Sequence, residues 1–227
     1  MEYVEIARAE TARGELVLRE RRADNAPTSL ELRANGVFVM DTLEVGSEQA
    51  LAEAALAQVQ QPRAVVVAGL GLGFTMHAVL ADQRVEKVAV VEIEQALVDW
   101  MRAGTIPHGP GLLADERVTV VVADIGEAMA EARPASYDLI LLDVDNGPGY
   151  LVHDVNAALY EQPFLEAAAR ALRPGGALAI WSAAEAPVLG RTMDSVFGNV
   201  EATPYEVLLQ DRDEQYWLYA ARVTSDA

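Results

Sequence analysis

The chain has 227 residues, 52% hydrophobic and 23% charged, which is a globular composition long enough for one large domain with a small appendage. Thirty-five acidic residues stand against 17 Lys and Arg, for a net charge of -18 at pH 7. Such a surface repels phosphate backbones and anionic lipid, so neither nucleic acid nor a membrane is an expected partner, whereas a cationic polyamine or sulfonium would be drawn in. The absence of Cys excludes disulfides and thiolate metal sites. No apolar run reaches the ~18 residues of a membrane span, and the charged N-terminus lacks an apolar signal region. The expectation is a cytoplasmic protein.

Taken in order, residues 1–45 read as short strands. Tyr3–Ala7, Glu15–Glu20, Ser29–Arg33 and Val37–Thr42 alternate or carry β-branched residues, with breaks at Gly14, Asp24–Pro27 and Asn35-Gly36. Asn-Gly between two such runs signals a hairpin, so a small antiparallel β unit is expected there. Residues 46–227 form the second expected unit. Ser47 is placed to cap a helix over Glu48–Gln60, which Pro62 ends.

Strands and helices then alternate. Strands are predicted at Ala64–Ala68, Lys87–Glu92, Val118–Ala123, Leu139–Asp143 and Ala177–Trp181. Helices are predicted at Phe74–Ala81, Gln95–Ala103, Glu127–Glu131, Ala158–Leu172 and Pro187–Val196, with a Gly- and Pro-rich loop, TIPHGPGLLADE, after the second. This alternation implies an α/β fold, a Rossmann-like doubly wound, mainly parallel sheet. Two last strands, Val200–Leu209 and Gln215–Val223, are joined too closely for a parallel crossover and should pair antiparallel, closing the sheet with a hairpin.

Four groups of residues carry chemistry. Gly69, Gly71 and Gly73 follow the first parallel strand and precede a helix, where bare backbone can approach a ligand. The third glycine comes one residue too early for the dinucleotide fingerprint, which argues against NAD. Glycines after a strand also serve plain tight turns. Glu92 ends the second strand, where a carboxylate can accept both hydroxyls of a ribose. Asp124 follows the third strand, at the ligand edge of the sheet, and equally suits a helix cap. Asp143 and Asp145 follow the fourth strand, placed to orient an amine and take its proton.

The series GLGLG, VVEIE, VVVADIGEAM, YDLILLDVDNGPG and LYEQPFLEAAARALRPGGALAIWS resembles the spermidine synthase family of aminopropyltransferases, on the class I AdoMet-dependent methyltransferase fold. The resemblance runs over roughly residues 63–183. It implies that Gly69, Gly71, Gly73, Glu92 and Asp124 hold the adenosine of decarboxylated S-adenosylmethionine or S-adenosylmethionine, as co-substrate. It further implies that Asp143 accepts the proton of an amine acceptor, with Asp145 as the second acid, and that the protein is a homodimer.

The chain departs from that family at its amine half. The Asp between the second and third glycines is Leu72, and the Tyr of the helix before the first parallel strand is Leu51, in Leu51-Ala52-Glu53. Glu53 and Tyr205, in Thr203-Pro204-Tyr205, remain as the matched substrate-binding positions. Two alternatives therefore stand beside aminopropyl transfer: methyl transfer from S-adenosylmethionine, and a non-catalytic nucleoside-binding or dimerisation module. His77, His108 and His153 lack metal-ligand spacing, so no metal site is expected. His108 could cover adenosine, and His153, Asp154 and Asn156 could line an acceptor pocket.

Overall fold

The computed structural model describes residues 2–22, 27–209 and 212–224. Four strands come first: β1 (Glu2–Thr11), β2 (Gly14–Arg22), β3 (Ser29–Ala34) and β4 (Val37–Asp41), paired antiparallel in that order. Asn35 and Gly36 take φ of 51° and 76°, the left-handed pair that a two-residue hairpin turn needs. Asp24, Asn25 and Ala26, the expected break between β2 and β3, lie outside the described residues. Leu18 and Leu32 of this small sheet pack in the same apolar core as the large sheet behind it.

Helix α1 (Gly46–Ala57) bridges to the large sheet. Its N-cap is Val45, without a side-chain bond; Ser47 lies inside the first turn and its hydroxyl donates to Glu48 at 2.7 Å. The expected Ser47 cap is thus corrected: the hydroxyl is spent on a carboxylate, not on the helix N–H groups.

The rest alternates as predicted: β5 (Ala64–Ala68), α2 (Phe74–Ala81), β6 (Lys87–Glu92), α3 (Gln95–Ala103), α4 (Gly109–Leu113), β7 (Val118–Val122), α5 (Ile125–Glu131) and β8 (Tyr137–Leu142). A 3-10 turn (Asp154–Tyr160), α6 (Gln162–Ala171), β9 (Leu172–Ser182), α7 (Pro187–Phe197), β10 (Glu201–Leu209) and β11 (Arg212–Arg222) complete it. The expected loop after α3 contains α4, and the helix expected over 158–172 divides at Glu161, which is extended at φ -97° and ψ 161°. Arg173–Gly176 bulge out of β9, between Leu172 paired with Tyr137 and Ala177 paired with Leu139.

Seven strands form the order β10-β11-β9-β8-β5-β6-β7, with β11 alone running against its neighbours. The tip of the β10–β11 hairpin, Gln210 and Asp211, lies outside the described residues. Period-2 geometry divides each central strand between two cores. Val65, Val67, Leu139 and Leu141 face a core with α1, α2 and α3; Val66, Ala68, Ile140 and Leu142 face one with α5, α6 and α7. Strands apolar on both sides can be buried only in a sheet covered by helices on both faces, and this one is. No helix among the described residues is long and apolar enough to cross a membrane.

Candidate active site

From β5 the chain winds outward through β6 to β7, then returns to lay β8 on the other side of β5. The crevice beyond the ends of β5 and β8 is the topological switch point of the sheet, where ligands of open α/β sheets bind. A cavity lies there, lined by the glycine turn, the ends of β6 and β8, the start of α5, and β2–β4 of the small sheet, which roof it.

The turn after β5 is fixed by close packing of strand ends. Gly69, at φ 99°, could not carry a side chain, because a Cβ would meet the carbonyl oxygen of Asp143 at 2.2 Å. Gly71, at φ 50°, meets the Met40 sulfur of the roof instead. Both line the cavity. Gly73 does not: at φ 87° it precedes α2, and a Cβ there would meet Met101 and Leu112, so its place is in the core.

Glu92 is buried with one oxygen accepting the Leu70 N–H and the other the Glu94 N–H, each at 2.8 Å. Burial pushes its carboxyl above the ordinary range, and those two N–H groups pull it partly back. The bonds clamp the glycine turn to the end of β6. A carboxylate has about four acceptor sites, so capacity remains toward the cavity. Asp124 caps α5: its Oδ1 accepts from Gly126 and Glu127 N–H at 2.7 and 3.2 Å, while the residue also lines the cavity. Capping and facing the cavity are both met here.

At the other end, Asp143 Oδ2 accepts from the Thr75 hydroxyl at 2.5 Å, and Asp143 N–H donates to Ala68 at the end of β5. Burial raises the Asp143 carboxyl, against the lowering effect of Thr75. Glu48, from the first turn of α1, lines the same region. Desolvation, with the negative Asp143 next in weight, pushes Glu48 up to about 7. Neither Glu48 nor Thr75 is marked by sequence pattern. Glu48 reads as an ordinary first-turn acid and Thr75 as an ordinary helix residue, and only the packing of α1 and α2 on the sheet turns them inward.

Asp145 lines the cavity too and has a second task. Its Oδ1 accepts the Val152 N–H and its Oδ2 the Asn156 side-chain amide, both at 2.9 Å, so it ties together the loop that follows β8. Asn156 in turn accepts from Arg13 Nη2 at 3.1 Å, and Arg13 Nε lies 3.8 Å from Glu94. Arg13 thus reaches from the β1–β2 turn across the cavity mouth. His153 also lines the cavity, its imidazole held below its usual value by burial and then by Arg13.

Several expected positions stay out of the cavity. Glu53 is exposed on α1, five residues past Glu48 and on another face, so the cavity acid of that helix is Glu48. Tyr205 packs its ring 5.7 Å from Trp181, which stacks at 5.6 Å on Tyr216, and none of the three lines the cavity. Leu72 and Leu51 are both fully buried in the core beneath the glycine turn. His108 does not cover the cavity either: its Nε2 lies 2.6 Å from the Leu72 carbonyl, against Phe74. His77 is exposed. Among the described residues no group of His, Asp and Glu could hold a metal.

Comparison with known proteins accords with this geometry. A family model described as the spermine/spermidine synthase domain matches residues 44–196, more than half of the chain. Putrescine N-methyltransferase 3 of Nicotiana tabacum is 36% identical over 53% of this chain and 30% of its own length. Polyamine aminopropyltransferase 2 of Pseudomonas aeruginosa is 31% identical over 67% of this chain and 44% of its own. The chain thus spans about a third to a half of these curated relatives. Among solved structures, spermidine synthase from Thermotoga maritima superposes with a TM-score of 0.78 at 18% identity, covering 97% of this chain and 74% of that one. A spermidine synthase in complex with the transition-state analogue AdoDATO gives 0.79 at 18%, covering 96% and 73%. At such identity these likenesses are of fold.

Proposed function

The chain belongs to the spermine/spermidine synthase domain family, and from that premise we propose that it transfers an aminopropyl group from decarboxylated S-adenosylmethionine to a small amine. The observation that carries this reading is the distribution of charge along the cavity. Asp124, Glu92 and Glu94 line it beside the ends of β7 and β6, and Asp143, Asp145 and Glu48 beside the end of β8 and the start of α1. Among the described residues, Arg13 is the one Arg or Lys in the lining, and it is committed to Asn156 and Glu94 at the mouth. A donor with a carboxylate would bring it against two acids; a decarboxylated donor brings only positive charge.

In the reaction the glycine turn and Glu92 hold the adenosine, so that the carbon bonded to the sulfonium faces Asp143. The amine lone pair attacks that carbon, the carbon–sulfur bond breaks, and its electron pair returns to sulfur, releasing neutral methylthioadenosine. The nitrogen then gives its extra proton to the Asp143 carboxylate. Holding both reactants in line supplies most of the acceleration, since the sulfonium is already a good leaving group. Asp145 shapes the acceptor side by fixing the 145–156 loop. Assembly as a homodimer in the cytoplasm belongs to the same reading.

A second reading, methyl transfer from S-adenosylmethionine to a diamine, is favoured by one observation: the turn carries Leu72 where the family has an amine-binding acid. Incubation with each donor and a diamine panel separates the two. Methylthioadenosine from the decarboxylated donor supports aminopropyl transfer, S-adenosylhomocysteine supports methyl transfer, and neither product from any acceptor would sink both.

A further inference from the structure

The fully buried acids among the described residues each have an Arg partner or two N–H donors, whereas Glu48 and Asp143, half-buried at the cavity, each accept from one hydroxyl. Glu31 is paired with Arg19 and Arg33 at 2.6 and 2.7 Å, and Asp41 with Arg21 at 3.4 Å. Glu92 and Asp145 are each held by two donors, as described above. Glu48 lines the cavity with the Ser47 hydroxyl as its side-chain partner, and among the described residues no Arg or Lys pairs with it. The groups around it repel a second negative charge: Asp143 at the end of β8, Asp41 at the end of β4, and Tyr216 on β11, whose hydroxyl is itself raised by burial and by Glu48. A desolvated acid facing other acids is costly unless a cation completes the site.

The glycine turn supplies no charge here, because the side chain between its second and third glycines is the apolar Leu72, packed in the core. From these placements we infer that Glu48, together with Asp143, anchors the terminal ammonium of the aminopropyl donor. The anchor has moved from the turn after β5 to the first turn of α1. This rests on the reading of the cavity as a donor site. It makes Glu48 a specificity-determining residue: a carboxylate-bearing donor would meet it as a repulsion, and a donor without the ammonium would leave it unpaired. It also couples binding to protons. A carboxyl pushed up to about 7 in the free protein must ionise to pair with the ammonium, so binding below that pH releases a proton.

The test compares decarboxylated S-adenosylmethionine with methylthioadenosine, which keeps the nucleoside and lacks the aminopropyl chain. Calorimetry at pH 6.5 in buffers of different ionisation heat should show proton release with the first ligand and none with the second. Glu48→Gln should weaken the decarboxylated donor on the order of tenfold to a hundredfold at pH 8, the worth of a charge-assisted bond. It should also flatten the rise in its affinity between pH 6 and 8 and leave methylthioadenosine unchanged, which doubles as the check that the variant is folded. Equal loss for both ligands, or wild-type affinity and pH slope for the donor, overturns the assignment. If that variant does not fold, Glu48→Asp, which keeps the charge and shortens its reach, takes its place: it should weaken the decarboxylated donor and spare methylthioadenosine, and equal loss for both ligands overturns the assignment. Failure of the wild-type protein to bind methylthioadenosine overturns the nucleoside reading and the anchor with it.

Discussion

The hydroxyl of Thr75, in the first turn of α2, donates to Asp143 Oδ2 across 2.5 Å and so joins the helix after the glycine turn to the acid at the end of β8. This bond stabilises the ionised carboxylate against the burial that raises it. Thr75→Val keeps the shape and removes the donor. Asp143 should then titrate higher, and the acidic limb of the pH–rate profile should move to higher pH. The rate near neutrality should fall roughly tenfold, within the range of a general-base contribution. An unmoved limb in steady-state assays would mean that Asp143 does not take the proton.

Gly69→Ala adds a Cβ 2.2 Å from a backbone oxygen, at a φ of 99° that side chains rarely adopt. The strands cannot part without breaking the switch point. A loss of about 2–4 kcal/mol in urea unfolding is expected, typical of backbone strain combined with a clash. Gly111→Ala is the control, because nothing lies within 4 Å of its Cβ. It should stay within about 0.5 kcal/mol of the parent.

Asp124 serves α5 and the cavity together, and two substitutions separate the roles. Asp124→Asn retains a capping oxygen and should cost only a few tenths of a kcal/mol; Asp124→Ala should cost about 1 kcal/mol. Both should weaken methylthioadenosine by a similar factor in titration calorimetry. Retained affinity in Asp124→Asn would reduce Asp124 to a helix cap.

Glu48 makes folding stability depend on pH in ligand-free protein. Its carboxyl stands at about 7 in the folded chain against an ordinary 4.5, so the neutral form is the favoured one. The stabilisation is complete below pH 4.5 and is lost as pH rises to about 7. Buried Glu92 and Asp143 are raised too and act in the same direction. Relative to Glu48→Gln, the wild-type protein should lose on the order of 3 kcal/mol across that window in denaturant titrations. A flat difference would place Glu48 in water.

Arg13→Ala cuts the chain from the β1–β2 turn through Asn156 to Asp145. Asp145 would keep the Val152 N–H, but its loop would lose the tie to the roof. Faster hydrogen exchange at Val152 and a higher KM for the amine, with little change in methylthioadenosine affinity, are the expected outcomes. Unchanged exchange would show that the 145–156 loop holds itself.

The parallel strands were legible because each is a short apolar run bounded by turn residues, and the central ones, β5 and β8, are buried on both sides. Ala64–Ala68 and Lys87–Glu92 fall where the pattern places them. Three acids of the cavity lining were legible for a related reason. Residues that end such strands must emerge at the carboxyl edge of the sheet, so Glu92, Asp124 and Asp143 reach one crevice by topology alone. Asp145 lines the same cavity and also holds its own loop, through the Val152 N–H and the Asn156 amide seven and eleven residues on, a task that no sequence pattern marks.

Glu53 and Tyr205 were placed by motif position, and motif position does not set which face of a helix or strand meets a cavity. Glu48 is the opposite case. Its helix was read correctly, but nothing local distinguishes it from any first-turn acid. The sequence by itself determined the doubly wound sheet, the glycine turn and an acidic ligand edge, because hydrophobic period and strand ends are local properties. Only the tertiary structure decided that the turn's Leu72 faces the core and that α1 brings a half-buried carboxylate, Glu48, to the cavity. That outcome depends on how a helix docks against a sheet tens of residues away, and docking is settled by packing between elements rather than by the order of residues within one.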